Sequence, residues 1–156
     1  MERSQEHQNL YKIAEVQVSY KSKYKISECP VISRAEKAYE IWLQYWNLDP
    51  IDFVEHFKVM LLNRANRVIG ISDISAGGVA GTVADPKVIF VIALKASASS
   101  IILAHNHPSG NLSPSQQDIS LTNRLKQAGE FLQIDVLDHM IITRDGYYSF
   151  ADQGLI

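Results

Sequence analysis

Ser100-Ile101-Ile102-Leu103-Ala104 runs without a break into His105-Asn106-His107-Pro108-Ser109-Gly110-Asn111. A short, bounded apolar run predicts a buried strand over Ser100–Ala104, which delivers the polar run straight from the core to a surface turn. In an extended segment side chains two apart share a face, so His105 and His107 aim their imidazoles at one point as the strand leaves the sheet. Neutral imidazole suits zinc, and a catalytic zinc needs three protein ligands with a fourth position open to water.

Asp118 is the best candidate for the third ligand. Leu121, Leu125, Ala128 and Leu132 form one apolar stripe of a helix that begins near Ser115 and ends near Gly129 or shortly after. Asp118 therefore falls in the first turn, within reach of the loop that carries both histidines, with Ser115 at the same mouth. Plainer readings exist for the same residues. Five histidines in 156 residues give roughly 0.16 His-x-His pairs by chance. Ser115 with Asp118 is a capping box in its own right, and Asn-His-Pro-Ser-Gly is turn-rich.

Upstream, Asp85 as cap and Pro86 at the first helical position predict a buried helix over Val88–Leu94. The Gly-rich patch Ala76–Gly81 lacks the Lys-Ser/Thr ending of a phosphate-cradling loop and reads as a bulge or turn. Before it, Phe53–Leu62, the turn Asn63–Arg67 and Val68–Ile74 read as a hairpin. Ser33 with Glu36 forms a capping-box signature for a helix over Arg34–Trp46, ended by Asn47–Pro50. Tyr11–Lys25 alternates loosely and suggests an opening strand. Its end, Tyr20-Lys21-Ser22-Lys23-Tyr24-Lys25, has the composition either of a lysine-guarded edge strand or of a single-stranded nucleic-acid contact.

Downstream, Ile134–Thr143, the turn Arg144-Asp145-Gly146 and Tyr147–Phe150 predict a final pair of strands. His139, next to Asp138 in an apolar strand, could pair with that carboxylate behind the site or serve as a fourth ligand, but a hydrogen-bonded core histidine is the commoner outcome, and it is left outside the site. The pattern is mixed α/β, in one globular unit: an N-terminal strand and helix over 1–52 packed on a core over 53–156.

The bulk numbers fit an ordinary globular chain: 46% hydrophobic and 21% charged residues, with a formal charge of −2. No global field draws such a molecule onto a phosphate backbone, so any nucleic-acid contact is local. Cys29 is the single cysteine, which excludes an internal disulfide framework and a Cys-only zinc site. The polar start lacks a signal-peptide core and no run approaches the ~18 apolar residues of a membrane span, so the protein is read as cytoplasmic with no membrane partner. Zinc base deaminases, which pair His-x-Glu with Pro-Cys-x-x-Cys, and His-Glu-x-x-His proteases are disfavoured because those motifs are absent.

His105-Asn106-His107-Pro108-Ser109-Gly110 followed by Ser115 and Asp118 resembles the His-x-His-(seven residues)-Ser-(two residues)-Asp signature of JAMM metallopeptidases. Within that group the chain is most similar to RadC-like proteins, through the unbroken His-Asn-His-Pro-Ser-Gly, Pro114-Ser115, Leu137-Asp138-His139 and Tyr148-Ser149-Phe150, over about Phe53 to Ile156. The resemblance implies a cytidine-deaminase-like JAMM/MPN fold, a curved mixed sheet flanked by helices. It implies Zn2+ on His105, His107 and Asp118, a serine at Ser115 near the metal water, and an upstream glutamate as general base. Glu55 is placed in that role because it shares a strand face with Phe53, Phe57, Val59 and Leu61, where an acid needs a reason. Its desolvation would raise its pKa toward a range useful for taking a proton. An edge-strand acid paired with Lys58 or Arg67 is the structural alternative for Glu55, and His56 beside it points the other way.

The implied activity is hydrolysis of a peptide or isopeptide bond in a peptide or protein substrate. The alternative is a catalytically silent zinc-binding accessory or scaffold protein associated with DNA repair or mobile-element functions. Two departures from the family pattern stand out. Ala84-Asp85-Pro86-Lys87 replaces the usual His-Pro-Arg-Glu-like stretch, and the first fifty residues look too short and strand-like for the helical DNA-binding-type region of larger members.

Overall fold

A computed structural model describes residues 12–46, 48–77 and 83–156. The elements, in chain order, are α1 (Ala35–Tyr45), the single turn α2 (Leu48–Ile51), β1 (His56–Leu62), β2 (Val68–Ala76), α3 (Pro86–Lys95), β3 (Ser100–Asn106), α4 (Gln116–Leu132), β4 (Asp135–Ile142) and β5 (Tyr147–Ser149). The strands form one mixed sheet in the order β2-β1-β3-β4-β5. Strand β1 runs antiparallel to both β2 and β3, β3 is parallel to β4 through the α4 crossover, and β5 folds back antiparallel on β4. The mixed α/β class and the helix-flanked sheet are as the sequence predicts.

All seven residues of β3 are buried, which is why it reads as a near-continuous apolar run: it is the middle strand and is covered on both faces. Alternation divides the core in two. On one face Phe57, Val59, Leu61, Ile101, Leu103 and Val136 pack against Ile89, Phe90 and Ala93 of α3 and Leu125 of α4. On the other, Met60, Leu62, Ile102, Ala104, Met140 and Ile142 pack against Ala38, Ile41 and Trp42 of α1, with Trp46 and Ile51. Lys58 reaches this second face, ion-pairs with Asp73 and lies 5.0 Å from the centre of the Trp46 ring.

The expected opening strand is absent. Tyr11 lies outside the described residues, and 12–25 contain no strand, with Ile13, Val16 and Val18 exposed. Part of the edge this segment needed is already used. Val68 N donates to Pro30 O and Ile32 N to Asn66 O, so the residues around Val31 close the start of β2, and Tyr20 caps the Ile69 carbonyl through its hydroxyl. The Ser33–Glu36 capping box is also absent: Arg34 is the N-cap of α1 without a side-chain cap, and Glu36 pairs with Arg34 instead.

Strand β1 starts at His56 rather than Phe53, because α2 and the turn held by Phe53 N and Val54 N on Pro50 O consume the preceding residues. Phe53 is exposed and shares no core face with Phe57. In the Gly-rich patch, Ala76 belongs to β2 and residues 78–82 lie outside the described set. Helix α3 has the expected cap, Asp85 accepting from Lys87 N at 2.9 Å, but only one face is buried, and Val88, Val91 and Leu94 are exposed. Among the described residues no helix is long and apolar enough to cross a membrane.

Helix α4 runs three residues beyond Gly129 because the chain turns back tightly under it, Ile134 N bonding Gly129 O at 2.8 Å. A Cβ at Gly129 would stand 2.3 Å from the Ile134 carbonyl oxygen, a backbone atom that cannot swing away. Gly129→Ala is therefore expected to lower unfolding stability by about 2 kcal/mol despite the gain of up to ~1 kcal/mol in helix propensity. A urea midpoint equal to or above wild type would contradict it.

Candidate metal centre

The apolar run of β3 carries His105 out along the face shared with α3 and α4. His105 is 1% exposed, and its ring lies parallel to that of its cross-strand partner Phe57, centres 6.0 Å apart. His107 lies just past the strand end and is partly buried. The turn after it closes through Gly110 N on His107 O, with Gly110 at φ +78°, and lets Asn111 O meet His107 Nδ1 at 2.5 Å. That bond leaves His107 Nε2 facing inward, 3.0 Å from His105 Nε2.

Asp118 is the third residue of α4, and the capping box is real. Asp118 N donates to Ser115 Oγ at 3.0 Å and Ser115 N to Asp118 Oδ2 at 2.7 Å. The same carboxylate faces the histidines, Oδ1 at 3.4 Å from His105 Nε2 and Oδ2 at 3.6 Å from His107 Nε2. Cap and ligand are therefore one arrangement, because the cap aims the carboxylate.

The donor set can be tested against zinc. Bonds of about 2.0–2.1 Å in a tetrahedron place ligand atoms roughly 3.3 Å apart. The observed separations of 3.0, 3.4 and 3.6 Å bracket that value. His105, His107 and Asp118 could thus hold a metal ion. Two imidazoles and one carboxylate are a zinc-type set that leaves a fourth position open.

The charges of these groups lean on one another. The hydrogen bond with Asp118 raises His107 above its ordinary 6.5, against the opposing effect of burial, with help from the Asn111 carbonyl and the charges of Asp118 and Glu55. Burial pushes Asp118 upward, but the neighbouring His105 and His107 rings outweigh it and hold the carboxyl well below the usual carboxylate range.

Glu55 immediately precedes β1 and is half-buried. Extending the β1–β3 register past Phe57↔His105 sets it across from His107, consistent with its charge reaching that ring. Lys58, one of its proposed ion-pair partners, bonds Asp73 instead. Ser115 is exposed at the mouth. Half-buried His56 donates its main-chain N–H to Asn106 Oδ1 at 2.7 Å.

Three residues near the site lie outside the set that sequence reasoning assigns to it. Asn106, between the two histidines, points to the opposite face and is fully buried. Its Nδ2 donates to Ile51 O at 2.7 Å and Val54 O at 2.9 Å, so its amide fastens residues 51–56, the segment that carries Glu55. His139, read as lying outside the site, touches it: its Nε2 is 2.8 Å from His105 Nδ1. That contact depends on the parallel β3–β4 register, where His139 pairs with Leu103, and adjacency in sequence carries no trace of it. Thr122 is 2.6 Å from His139 Nδ1, and the Asp118–Thr122 spacing of one helical turn is its only sequence signal. The His139 ring is wholly buried, which lowers its pKa well below the ordinary range and keeps it neutral. Asp138 does not pair with that ring. Its carboxylate accepts from the main-chain N–H of His139 and of Ala151 and from Ser149 Oγ, bracing the β4–β5 corner.

The model of the RadC-like JAB domain matches residues 32–155. The chain belongs to this family. The match begins upstream of Phe53 and takes in α1, as expected of a helix that supplies one of the two cores. A UPF0758 protein of Flavobacterium johnsoniae is 48% identical over 101 residues, 65% of this chain and 44% of that relative. UPF0758 proteins of Alkaliphilus metalliredigens and Chlorobium chlorochromatii are each 47% identical, over 102 and 107 residues, 65% and 69% of this chain. The aligned stretch is 44% and 48% of their lengths, so this RadC-like JAB chain spans about half of the curated relatives it matches.

Two outcomes follow from the geometry. His107 is raised, so its contribution to stability is full below 6.5 and is lost as pH rises through the raised value. Asp118 is lowered, so its contribution is present above 3.8 and is lost as pH falls. In chelator-treated protein the melting temperature of wild type should exceed that of His107→Gln by more at pH about 5.5 than at pH about 9. Equal margins would refute the pairing. Asn106→Ala strands one buried and one part-buried carbonyl and one part-buried N–H and should lower stability by about 2–4 kcal/mol in denaturant titration.

Proposed function

We propose that this RadC-like JAB domain is a zinc-dependent hydrolase of JAMM type that cleaves a peptide or isopeptide bond in a peptide or protein substrate. The observation that carries the reading is the set of three donors, His105, His107 and Asp118, at tetrahedral-edge spacing on the mouth of the sheet. Zinc bound by these residues supplies Lewis acidity, which acidifies water and polarises an amide carbonyl.

The chain's own groups do the rest. Glu55 accepts a proton from the attacking water and returns it to the leaving amine nitrogen, so water adds across the C–N bond as that bond breaks. Ser115 Oγ already accepts from Asp118 N, which leaves its hydroxyl proton free to donate to the carbonyl oxygen as charge develops there. The main-chain carbonyl of Asn111 on His107 Nδ1 keeps that ring turned with Nε2 toward His105 and Asp118. The amide of Asn106 holds the segment bearing Glu55. We place the protein in the cytoplasm, a reading with which its single cysteine, Cys29, is compatible.

Purified wild type should contain about one zinc per chain and His107→Ala little or none, measured by elemental analysis. On a peptide library, Glu55→Gln should keep the metal and lose cleavage by about 100-fold or more. Zinc uptake without Glu55-dependent cleavage would instead support a zinc-binding scaffold.

A further inference from the structure

His139 lies outside the three-ligand set, yet both of its ring nitrogens are engaged. Nε2 meets His105 Nδ1 at 2.8 Å, and Nδ1 meets Thr122 Oγ1 at 2.6 Å. Thr122 Oγ1 in turn donates to the Asp118 main-chain carbonyl at 2.6 Å. The chain of contacts therefore starts on the ring of one metal-ligand candidate and ends on the backbone of another.

Proton counting gives this chain a direction. A hydroxyl has one proton, a neutral imidazole has one N–H and one lone pair, and a carbonyl only accepts. With the Thr122 proton on Asp118 O, Thr122 Oγ1 must accept from His139 Nδ1–H. His139 Nε2 then carries a lone pair and accepts from His105 Nδ1–H. What remains on His105 is the Nε2 lone pair, aimed at the point shared with His107 Nε2 and Asp118 Oδ1. In the opposite direction every proton moves to the other nitrogen, and His105 Nε2 carries a hydrogen that bars it from a metal.

We propose that Thr122 and His139 form a one-way hydrogen-bond relay that holds His105 in the tautomer able to bind zinc, with the Asp118 carbonyl as its fixed terminus. The proposal rests on the zinc reading of the site given above. Both are positioning residues: neither belongs to the three-ligand set. The relay is buried, with Thr122 1% and His139 0% exposed, so its partners are shielded from bulk solvent. It also accounts for a threonine at this point in α4, since the hydroxyl must accept and donate at once, and no aliphatic side chain of that shape can do so.

Two substitutions separate this role from packing. Thr122→Val keeps the shape and removes the relay, while Thr122→Ser keeps the relay and removes a methyl group. Zinc affinity of the purified full chain, measured by competition with a chromophoric chelator, should stay within a few-fold of wild type in Thr122→Ser and fall about 10–100-fold in Thr122→Val. A packing role gives the reverse order. Nitrogen-15 spectra of the histidine rings in metal-free protein should show Nδ1–H at both His105 and His139 in wild type, and loss of Nδ1–H at His105 in Thr122→Val. Wild type and Thr122→Val binding zinc equally well overturns the relay alone, and failure of wild type to take up zinc overturns the metal reading together with it. Should Thr122→Val not fold, the wild-type ring spectrum decides: Nε2–H on His139 refutes the direction.

Discussion

Alternation at the end of β3 is the constraint on which this molecule depends. The strand is buried on both faces, so its last residues have no freedom to choose a side: His105 must enter the layer under α3 and α4, and Asn106 must enter the layer under α1. Chemistry and support are thereby split across the sheet. His105 joins His107 and Asp118 on one side, while the Asn106 amide on the other secures residues 51–56 through three hydrogen bonds. A slip of one residue in β3 would exchange them, placing an imidazole in the layer under α1 and an amide where a metal ligand is needed.

Burying so many polar groups is costly unless each finds a partner. Here His105, Asn106, Thr122, Asp138, His139 and Ser149 are all hydrogen-bonded in the interior. The linkages divide by function. Asp138 braces the β4–β5 corner, and the Thr122–His139 pair connects the end of β3 to the first turn of α4. Asp118 serves two demands with one carboxylate: its Ser115 contacts cap the helix, and the same contacts orient it toward the imidazoles. This explains why a capping-box reading and a metal-ligand reading of Ser115 and Asp118 are equally defensible from sequence. They describe one geometry.

Where sequence reasoning erred, it lacked knowledge of what else occupied the space. The loose alternation of 12–25 is genuine, but residues 30–32 close the start of the β2 edge, and alternation without an edge builds no strand. Sequence places Glu55 on a strand face with Phe53, yet α2 and the turn after it delay the start of β1 to His56. Its position near His107 comes from the antiparallel register with β3 instead. A histidine in an apolar strand is most often a satisfied core residue, which is the reading sequence favours for His139. It is indeed satisfied, and one of its partners is a metal-ligand candidate.

By itself the sequence determined what depends on near neighbours along the chain. The apolar run of β3, the caps of α3 and α4, the hairpin around Asn63–Arg67 and the convergence of His105 with His107 all follow from periods of two and 3.6 residues and from local backbone hydrogen bonding. Tertiary structure decided what depends on register between distant segments. The parallel pairing of β3 with β4 brings His139 to His105, and the antiparallel pairing with β1 brings Glu55 toward His107. Those contacts are selected by the packing of two whole cores, and no short stretch of sequence encodes the offset of one strand against another.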